Sequence, residues 1–480
     1  MSGILVIDVG TSSVRAAVVR PDASVTAVHQ EPTLPATPAP GLVELDAAQI
    51  WETARRCAEA ALAEAGPVDA VGIANQRAST IVWDRATGAP VGPGLGWQDL
   101  RTVGTCLVLQ ADGIRVAPNA SATKLAQLLD DHDPDRSRDL CFGTVDTWLI
   151  WQLTGGARHV TDHTNAGVTG LLTGDGAAWN TKVLDALRVP TAVLPTVVDS
   201  TGVLGEATVL PGSPPIAGVA GDQQASLIGQ SCVRPGMAKI TFGTGGMLDL
   251  CVGATQPGTD RGAAGTIPIV AWRDGGELTW GVEGIMLSAG TAVEWLRDDL
   301  QIIDSAADSH DVASQCDDTG GVVFVPALLG LGTPDWDYGA RGTLLGVTRG
   351  TGRAEVVRAV LEGVAQRGAD LVEAAEADSG MAIPLVRIDG GMSANPTFVQ
   401  AVADASGRPV EVSPVTEATT LGAAYLAGLA TGMWAGWDDV AGAWTPSTAV
   451  EPVRALDRDR WREARARAAG WHADLSALDF

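Results

Sequence analysis

An acidic residue and two amides follow a short apolar run near the middle of the chain, in residues 218–226. Asp222 comes first, and Gln223 and Gln224 follow it directly. The two glycines before Asp222 permit a sharp turn and a close approach of the backbone to a ligand. A carboxylate on a rigid strand-to-helix turn can take a proton from a hydroxyl group, but an acid here can also simply cap the following helix. Taken alone, this stretch leaves both interpretations open.

Three more turns rich in glycine each follow an apolar strand pattern, at residues 8–13, 243–246 and 389–396. Backbone amides in such turns can hold phosphate oxygens. Polar side chains beside the first turn could add hydroxyl groups and a positive charge: Thr11, Ser12, Ser13 and Arg15. Ordinary turn chemistry in a chain with 58 glycines is the alternative explanation. The repetition therefore suggests a phosphate site without establishing one.

The charge of the chain limits its partners. Asp and Glu total 57 against 32 Lys and Arg, a net charge of -25. Nucleic acids and anionic membranes need basic protein surface, so neither is an expected partner. None of the three lysines follows a glycine, and no GxGxxG sequence follows the first strand, so the common P-loop and dinucleotide motifs are both excluded.

The six cysteines are scattered without a CxxC pair, which favours reduced thiols and a cytoplasmic location. The first residues lack the basic start of a signal peptide, and no window is long and apolar enough to predict a membrane span.

The elements that must position these residues alternate along the chain. Residues 4–7 predict a buried strand that returns as a hairpin over residues 14–19, and Asp46 predicts the cap of a helix closed by Gly66. Residues 161–165 indicate a polar loop. Strands that alternate with helices predict an α/β fold, and 480 residues are enough for two domains.

In this order, the motifs resemble the FGGY family of carbohydrate kinases, and within it the glycerol kinases. Each motif alone is weak, but the ordered set is specific and covers the chain to about residue 435. The matching stretches include residues 8–13, 75–77, 80–83, 121–124, 142–151, 160–166, 218–225, 243–245, 295–298, 326–337, 346–350, 389–391 and 421–425.

The resemblance implies two actin-like (ribonuclease H-like) domains, residues 1–230 and 231–480, with ATP and substrate meeting in the cleft between them. Asp222 would be the catalytic base, and Asp8 together with Asp222 would form the Mg²⁺ site. Two turns would hold the phosphates of the nucleotide, the first with Thr11, Ser12, Ser13 and Arg15 and the second with Gly243, Thr244 and Gly245. The adenosine site would consist of Gly290, Glu294, Gly390, Gly391 and Asn395. Glu294 departs from the Gln usual in the family.

The substrate pocket implied by the resemblance is only partly retained. Four of its residues match the family: Arg77, Trp97, Asp222 and Gln223. Three depart from it, with Ala78 for Glu, Asn119 for Tyr and Met247 for Phe. Losing a buried hydrogen-bonding carboxylate costs about 1–3 kcal/mol. A divergent glycerol kinase and a kinase of a four- or five-carbon polyol or ketose (xylulokinase-type) are therefore both open.

Two other classes compete with a sugar kinase. An actin-like or Hsp70-like ATPase would have no use for the Arg77 and Asp222–Gln223 groups, and a binding-only pseudokinase would not need the complete catalytic set. By analogy with the family, a homo-oligomer, dimer or tetramer, is expected. The loop with which some relatives bind an inhibitory sugar bisphosphate aligns with residues 210–215, which contain no Arg, so that regulation is not expected.

Overall fold

The computed structural model describes residues 3–415 and 418–479. The strands, in chain order, are β1 Ile4–Val9, β2 Ser13–Val19, β3 Val25–Pro32, β4 Glu44–Leu45, β5 Ala70–Asn75, β6 Ile81–Asp84, β7 Gly94–Leu95, β8 Leu140–Gly143, β9 Val160–Asp162, β10 Thr196–Val198, β11 Thr201–Glu206, β12 Pro215–Gly221, β13 Ala238–Phe242, β14 Gly246–Gly253, β15 Ile267–Asp274, β16 Glu277–Met286, β17 Val323–Val325, β18 Thr343–Leu345, β19 Val386–Asp389, β20 Val410–Val412 and β21 Thr448–Val450.

The α-helices are α1 Ala47–Ala65, α2 Val103–Ala111, α3 Ser121–His132, α4 Val145–Leu153, α5 His163–Gly167, α6 Thr181–Ala186, α7 Asp222–Gly229, α8 Gly290–Glu294, α9 Asp308–Ala313, α10 Arg353–Ser379, α11 Pro396–Ser406, α12 Ala418–Thr431, α13 Trp437–Gly442, α14 Arg458–Ala468 and α15 Ala473–Ser476. Short 3₁₀ turns span Thr191–Val193 and Gly391–Ala394, and a π-helical turn spans Trp295–Asp299.

A six-stranded mixed sheet forms the first half of the molecule, in the order β11-β12-β5-β1-β2-β3. β1 pairs with β2 in antiparallel fashion and with β5 in parallel, and β12 pairs in parallel with the other side of β5. Every residue of β1 and β5 is buried, as expected for central strands covered on both faces. The carboxyl ends of β1, β5 and β12 therefore meet at one edge of the sheet.

A seven-stranded sheet forms the second half and repeats the same arrangement. Its order is β15-β16-β14-β13-β19-β20-β21. The strands β13, β14, β16, β19 and β20 have the relative directions of β1, β2, β3, β5 and β12. A helix follows the last parallel strand of each set, α7 in the first half and α12 in the second. The predicted α/β fold with two domains is confirmed.

The two halves share a tight helix crossing. Gly422 of α12 lies so close to α7 that a Cβ atom there would come within 1.8 Å of the Ala225 carbonyl oxygen, and Gly229 is equally close to Ala418. Although α12 comes late in the chain, it packs on the first sheet, where Gly72 and Gly218 lie against its backbone. The predicted boundary near residue 230 stays a prediction.

Local expectations were mostly confirmed. The Asp46 side chain accepts a hydrogen bond from Gln49 N, and Gly66 ends α1. The predicted polar loop at residues 161–165 is wrong, because this stretch forms the end of β9 and the start of α5 and is buried. Its polar groups satisfy each other, since Asp162 accepts hydrogen bonds from Thr164 and Asn165. Within the described residues, we find no helix with the length and apolar character needed to cross a membrane.

Candidate active site

Three parallel strands bring the polar groups of the first half to one edge. In the register of the sheet, Asp8 lies beside Ala74 of β5, and Ala74 lies beside Ala220 of β12. Asp222 follows two residues after Ala220, and the turn after β5 leads to Arg77. The carboxyl edge of a parallel sheet is the usual place for a ligand in α/β proteins.

Asp222 is the first residue of α7, and Gly221 occupies the N-cap position without a capping side chain. Asp222 is therefore not the N-cap residue, although its Oδ1 accepts a 2.8 Å hydrogen bond from Gln223 N in the first turn of the helix. Gly221 N donates a 2.8 Å hydrogen bond to the Thr164 hydroxyl, so the buried β9–α5 segment supports the turn that carries the acid. Burial raises the pKa of Asp222, and the Arg77 guanidinium opposes this rise. A raised pKa makes a carboxylate a stronger base.

Arg77 joins the two halves at the base of the cleft. Its Nε lies 3.4 Å from Asp222 Oδ1, and its Nη2 lies 2.7 Å from Glu283 Oε2 in β16 of the second sheet. Met247 of β14 packs against the same guanidinium, with 3.8 Å between Sδ and Nη2. Burial raises the pKa of Glu283, and the nearby Asp249 carboxylate adds to the effect.

Ala78 is buried beside Arg77 in a left-handed backbone conformation, with φ of 61°. Its carbonyl accepts a 2.9 Å hydrogen bond from the Ser121 hydroxyl at the start of α3. The side chain at position 78 is only a methyl group and cannot pair with Arg77. The second sheet instead provides a carboxylate partner for Arg77, that of Glu283.

A buried lysine organises the loops that carry Trp97 and Asn119. Lys124 Nζ donates to the carbonyls of Pro118 (2.8 Å), Ala120 (3.1 Å) and Trp97 (3.3 Å). Burial lowers its pKa to about 8. Asn119 lies between two of these acceptors and is exposed on the turn before α3.

Trp97 also connects its own loop to the turn between β1 and β2, because its indole Nε1 donates to Thr11 Oγ1 at 3.2 Å. Thr11 and Ser12 lie in the turn between β1 and β2. Ser13 and Arg15 lie on β2, and the Gln30 side chain contacts both of them.

Asp8 lies at the end of β1 and accepts a 2.8 Å hydrogen bond from the Thr419 hydroxyl of α12. β1 and β12 are two strand spacings apart, about 10 Å, and Asp222 begins the helix that follows β12. In the described part of the chain, no cluster of three or more His, Cys, Asp or Glu side chains could hold a metal ion. Mg²⁺ is commonly held by one or two carboxylates with water and phosphate, so these residues fit a magnesium site.

A cavity of about 670 Å³ opens in the second half. Six of the predicted nucleotide residues line it: Gly243, Thr244, Gly290, Glu294, Gly391 and Asn395. Its walls include Phe242, Met392 and Leu361, which suit the flat apolar face of a purine. The amide of Gly290 donates to the Gly243 carbonyl at 2.8 Å, so the turn after β13 and the start of α8 are connected directly.

The remaining two predicted glycines, Gly245 and Gly390, lie beside this cavity, where backbone approaches closely. A Cβ atom would come 2.7 Å from the Met286 carbonyl oxygen at Gly245 and 2.4 Å from the Phe242 carbonyl oxygen at Gly390. Gly390 also has φ of 89°, which glycine adopts without strain. Asn395 caps α11 by accepting from Phe398 N at 3.1 Å and donates to the Ser309 hydroxyl at 2.9 Å.

The sequence interpretation missed three buried charged residues of the second sheet: Lys239, Asp249 and Glu283. Lys239 and Asp249 are the single charged residues of β13 and β14, and Glu283 lies in the buried part of β16, well after the exposed Glu277 at its start. Charged side chains are rarely buried without a partner, so this pattern was the available signal.

The FGGY family of carbohydrate kinases matches the chain in two parts: its N-terminal domain matches residues 3–229 and its C-terminal domain matches residues 238–431. Among curated proteins, a glycerol kinase of Aromatoleum aromaticum is 44% identical over 98% of this chain and 100% of its own length. Glycerol kinase 2 of Thermotoga maritima is 41% identical over 98% of this chain and 99% of its own length.

Solved structures of a glycerol kinase and of a sugar kinase resemble this chain over its whole length. Plasmodium falciparum glycerol kinase with ADP matches with a TM-score of 0.89 and 28% identity, over 100% of this chain and 99% of that one. A xyloylose kinase from Brucella ovis matches with a TM-score of 0.85 and 26% identity, over 99% of both chains. With both domains matched across the two sheets and the cleft between them, the chain belongs to the FGGY family of carbohydrate kinases, phosphotransferases whose acceptor is an alcohol group.

Proposed function

We propose that this protein transfers the γ-phosphoryl group of ATP to a primary hydroxyl of glycerol or of a closely related small polyol. The observation that carries the proposal is the pairing of Asp222 with Arg77 at the edge of the first sheet, together with a nucleotide-sized cavity in the second half. The glycerol kinase names of relatives at 41–44% identity over nearly the whole chain support this substrate class.

Asp222 would act as the general base. As the substrate oxygen approaches the γ-phosphorus, its hydroxyl proton passes to the carboxylate, and the O–P bond to ADP breaks. The raised pKa of Asp222 strengthens its attraction for this proton. Arg77, 3.4 Å from the acid, and Gln223, the next residue in the chain, would orient the substrate hydroxyls. Alignment is the main requirement of phosphoryl transfer.

Asp8 and Asp222 would hold Mg²⁺, which when bound neutralises charge on the phosphate oxygens. Amides of the turns at Thr11–Ser13 and Gly243–Gly245 would contact the same oxygens. The cavity between Gly290 and Asn395 would take the adenosine of ATP.

The test of this function is Asp222→Asn. We expect this variant to bind ATP as the unchanged protein does but to lose at least about 1,000-fold in kcat, because the neutral amide cannot accept the proton. The matched control is Asp459→Asn, since Asp459 is 97% exposed on α14 and far along the chain from the cleft. Turnover of Asp222→Asn within tenfold of the unchanged protein would reject Asp222 as the base.

The second candidate is a kinase of a four- or five-carbon polyol or ketose, which Ala78 favours because a methyl group leaves more space than a carboxylate. ADP release should be measured with glycerol, tetritols, pentitols and the corresponding ketoses. A kcat/KM highest for glycerol supports the first candidate, and a higher value for xylulose supports the second. ATP turnover that no polyol changes would instead favour an ATPase of the actin or Hsp70 type.

We also propose a cytoplasmic location and a homo-oligomer. The six cysteines are free thiols, and five of them are buried, which suits a reducing compartment. The oligomer rests on analogy with the family, and light scattering of the purified protein measures it directly.

A further inference from the structure

A row of three charged side chains crosses the second sheet directly under the candidate substrate site. Lys239 of β13 stands opposite Asp249 of β14, and Asp249 stands opposite Glu283 of β16. Residues directly opposite each other on neighbouring strands project from the same face. The Lys239 and Asp249 side chains are both completely buried, with 2.7 Å between Nζ and Oδ2.

The ammonium of Lys239 has three close polar partners, one ion-paired carboxylate and two hydrogen-bond acceptors. Besides Asp249, it contacts the Thr241 hydroxyl at 2.9 Å and the side-chain oxygen of Gln223 at 2.7 Å. Gln223 belongs to the other half of the molecule and follows the candidate base Asp222 directly. The second sheet therefore contacts the substrate site of the first.

This contact determines which end of the Gln223 amide is available. An ammonium group can only donate hydrogen bonds, so the amide atom that faces Lys239 must be the carbonyl oxygen. The NH₂ group then points away from Lys239, as the part of the side chain left for a ligand. Glu283, at the other end of the row, holds Arg77 in the same way.

We propose that Lys239, held in place by Asp249, is a positioning residue that fixes the Gln223 amide as a hydrogen-bond donor to a substrate hydroxyl oxygen. Asp222 can accept a proton from a hydroxyl, and the fixed Gln223 amide can only donate to one. A substrate hydroxyl would therefore donate its hydrogen to Asp222, and an oxygen lone pair of a substrate hydroxyl would accept from Gln223. This inference rests on the proposed function.

The test must separate positioning from the cost of leaving one charge buried alone. The double variant Lys239→Met/Asp249→Leu removes both charges together, and replacing a buried ion pair by apolar residues is often neutral for stability. We expect it to fold with an unchanged Tm. We also expect its KM for the polyol to rise about tenfold, the effect of one lost hydrogen bond, with its KM for ATP within twofold.

The same pair of substitutions in a Gln223→Ala background is the decisive comparison. If Lys239 acts through Gln223, the substitutions change KM for the polyol less than twofold there, because the group they position is gone. An equal tenfold change in both backgrounds, or a double variant with unchanged KM, overturns the positioning role. If the protein without substitutions phosphorylates no polyol, the proposed function is overturned, and this inference falls with it.

Discussion

At the level of single residues, Arg77 has the most consequential surroundings. It contacts the candidate base Asp222 from its own half and Glu283 from the other half. One cation between two carboxylates keeps the base ionised at lower pH than burial alone would allow, and it also connects the two sheets at the point where the chemistry is proposed.

This arrangement predicts a pH dependence. Only the deprotonated form of Asp222 can accept the hydroxyl proton, so kcat/KM falls as pH drops through its pKa, which burial has raised above the usual range for Asp. Because the positive charge of Arg77 lowers that pKa, Arg77→Met should move the acid limb to higher pH. Arg77→Lys, which keeps the positive charge, is the control. The measurement is the midpoint of kcat/KM against pH for the unchanged protein, Arg77→Met and Arg77→Lys. A midpoint that stays fixed in Arg77→Met would show that Asp222 does not produce the acid limb.

Ala78 predicts a change in substrate use. A carboxylate here would accept a hydrogen bond from a glycerol hydroxyl, so Ala78→Glu should lower KM for glycerol about tenfold, the value of one hydrogen bond to a charged group. The left-handed backbone already carries a side chain, so the longer one adds no new backbone strain. Ala78→Gln has nearly the same size without the charge and is the control. If KM for glycerol is unchanged in Ala78→Glu, the assignment of position 78 to the substrate pocket is wrong.

At the level of elements, the contact of α7 with α12 depends on glycine. α7 carries Asp222 at its first residue, and α12 carries Thr419, which donates to Asp8. The two helices approach so closely at Gly422 and Gly229 that neither position has room for a methyl group. The separation of the two acids therefore depends on how these helices pack.

The helix crossing gives a stability prediction. Gly422→Ala would make a methyl group overlap the Ala225 carbonyl oxygen of α7, so we expect a loss of about 3 kcal/mol in the free energy of unfolding. Gly104→Ala is the matched control, since Gly104 is the second residue of α2 and a Cβ atom there would have nothing within 4 Å. Alanine at this position should not destabilise the protein, and any gain should stay below about 1 kcal/mol. Chemical denaturation measures both. Equal stability of the two variants would contradict the described helix crossing.

At the level of the whole molecule, the two halves share apolar core as well as the cleft. One buried cluster contains Ile4 and Val6 of β1, Leu421 and Tyr425 of α12, and Trp272 of β15. Removing the second half would expose the face of the first sheet that α12 covers.

A shared core predicts cooperative unfolding. Calorimetry of the full chain should give one transition whose calorimetric and van't Hoff enthalpies agree, because the shared cluster needs residues from both halves. Two resolved transitions would show that the halves unfold independently.

Glycerol at 100 times its Kd should stabilise the protein by about 2.7 kcal/mol, because a ligand that binds only the folded state shifts the unfolding equilibrium. Mannitol at equal concentration is the control ligand.

Local sequence signals were sufficient for much of this protein. The α/β class, the hairpin after Ile4, the capped helix between Asp46 and Gly66 and the position of Asp222 after a strand all follow from short-range patterns. Such patterns are readable because strand periodicity, caps and glycine turns are set by neighbouring residues. The family resemblance depended on the same short motifs in order.

The partners of the active residues could not be read in this way. Glu283 reaches Arg77 across more than 200 positions of sequence, and Lys239 reaches Gln223 only because two strands and a helix meet at the cleft. Residues 161–165 were misread for the same reason: polar side chains can be buried when distant groups satisfy them, as the Ser200 hydroxyl does for Asp162. Contacts between distant segments depend on how the sheets pack, which the periodicity of any one segment does not contain.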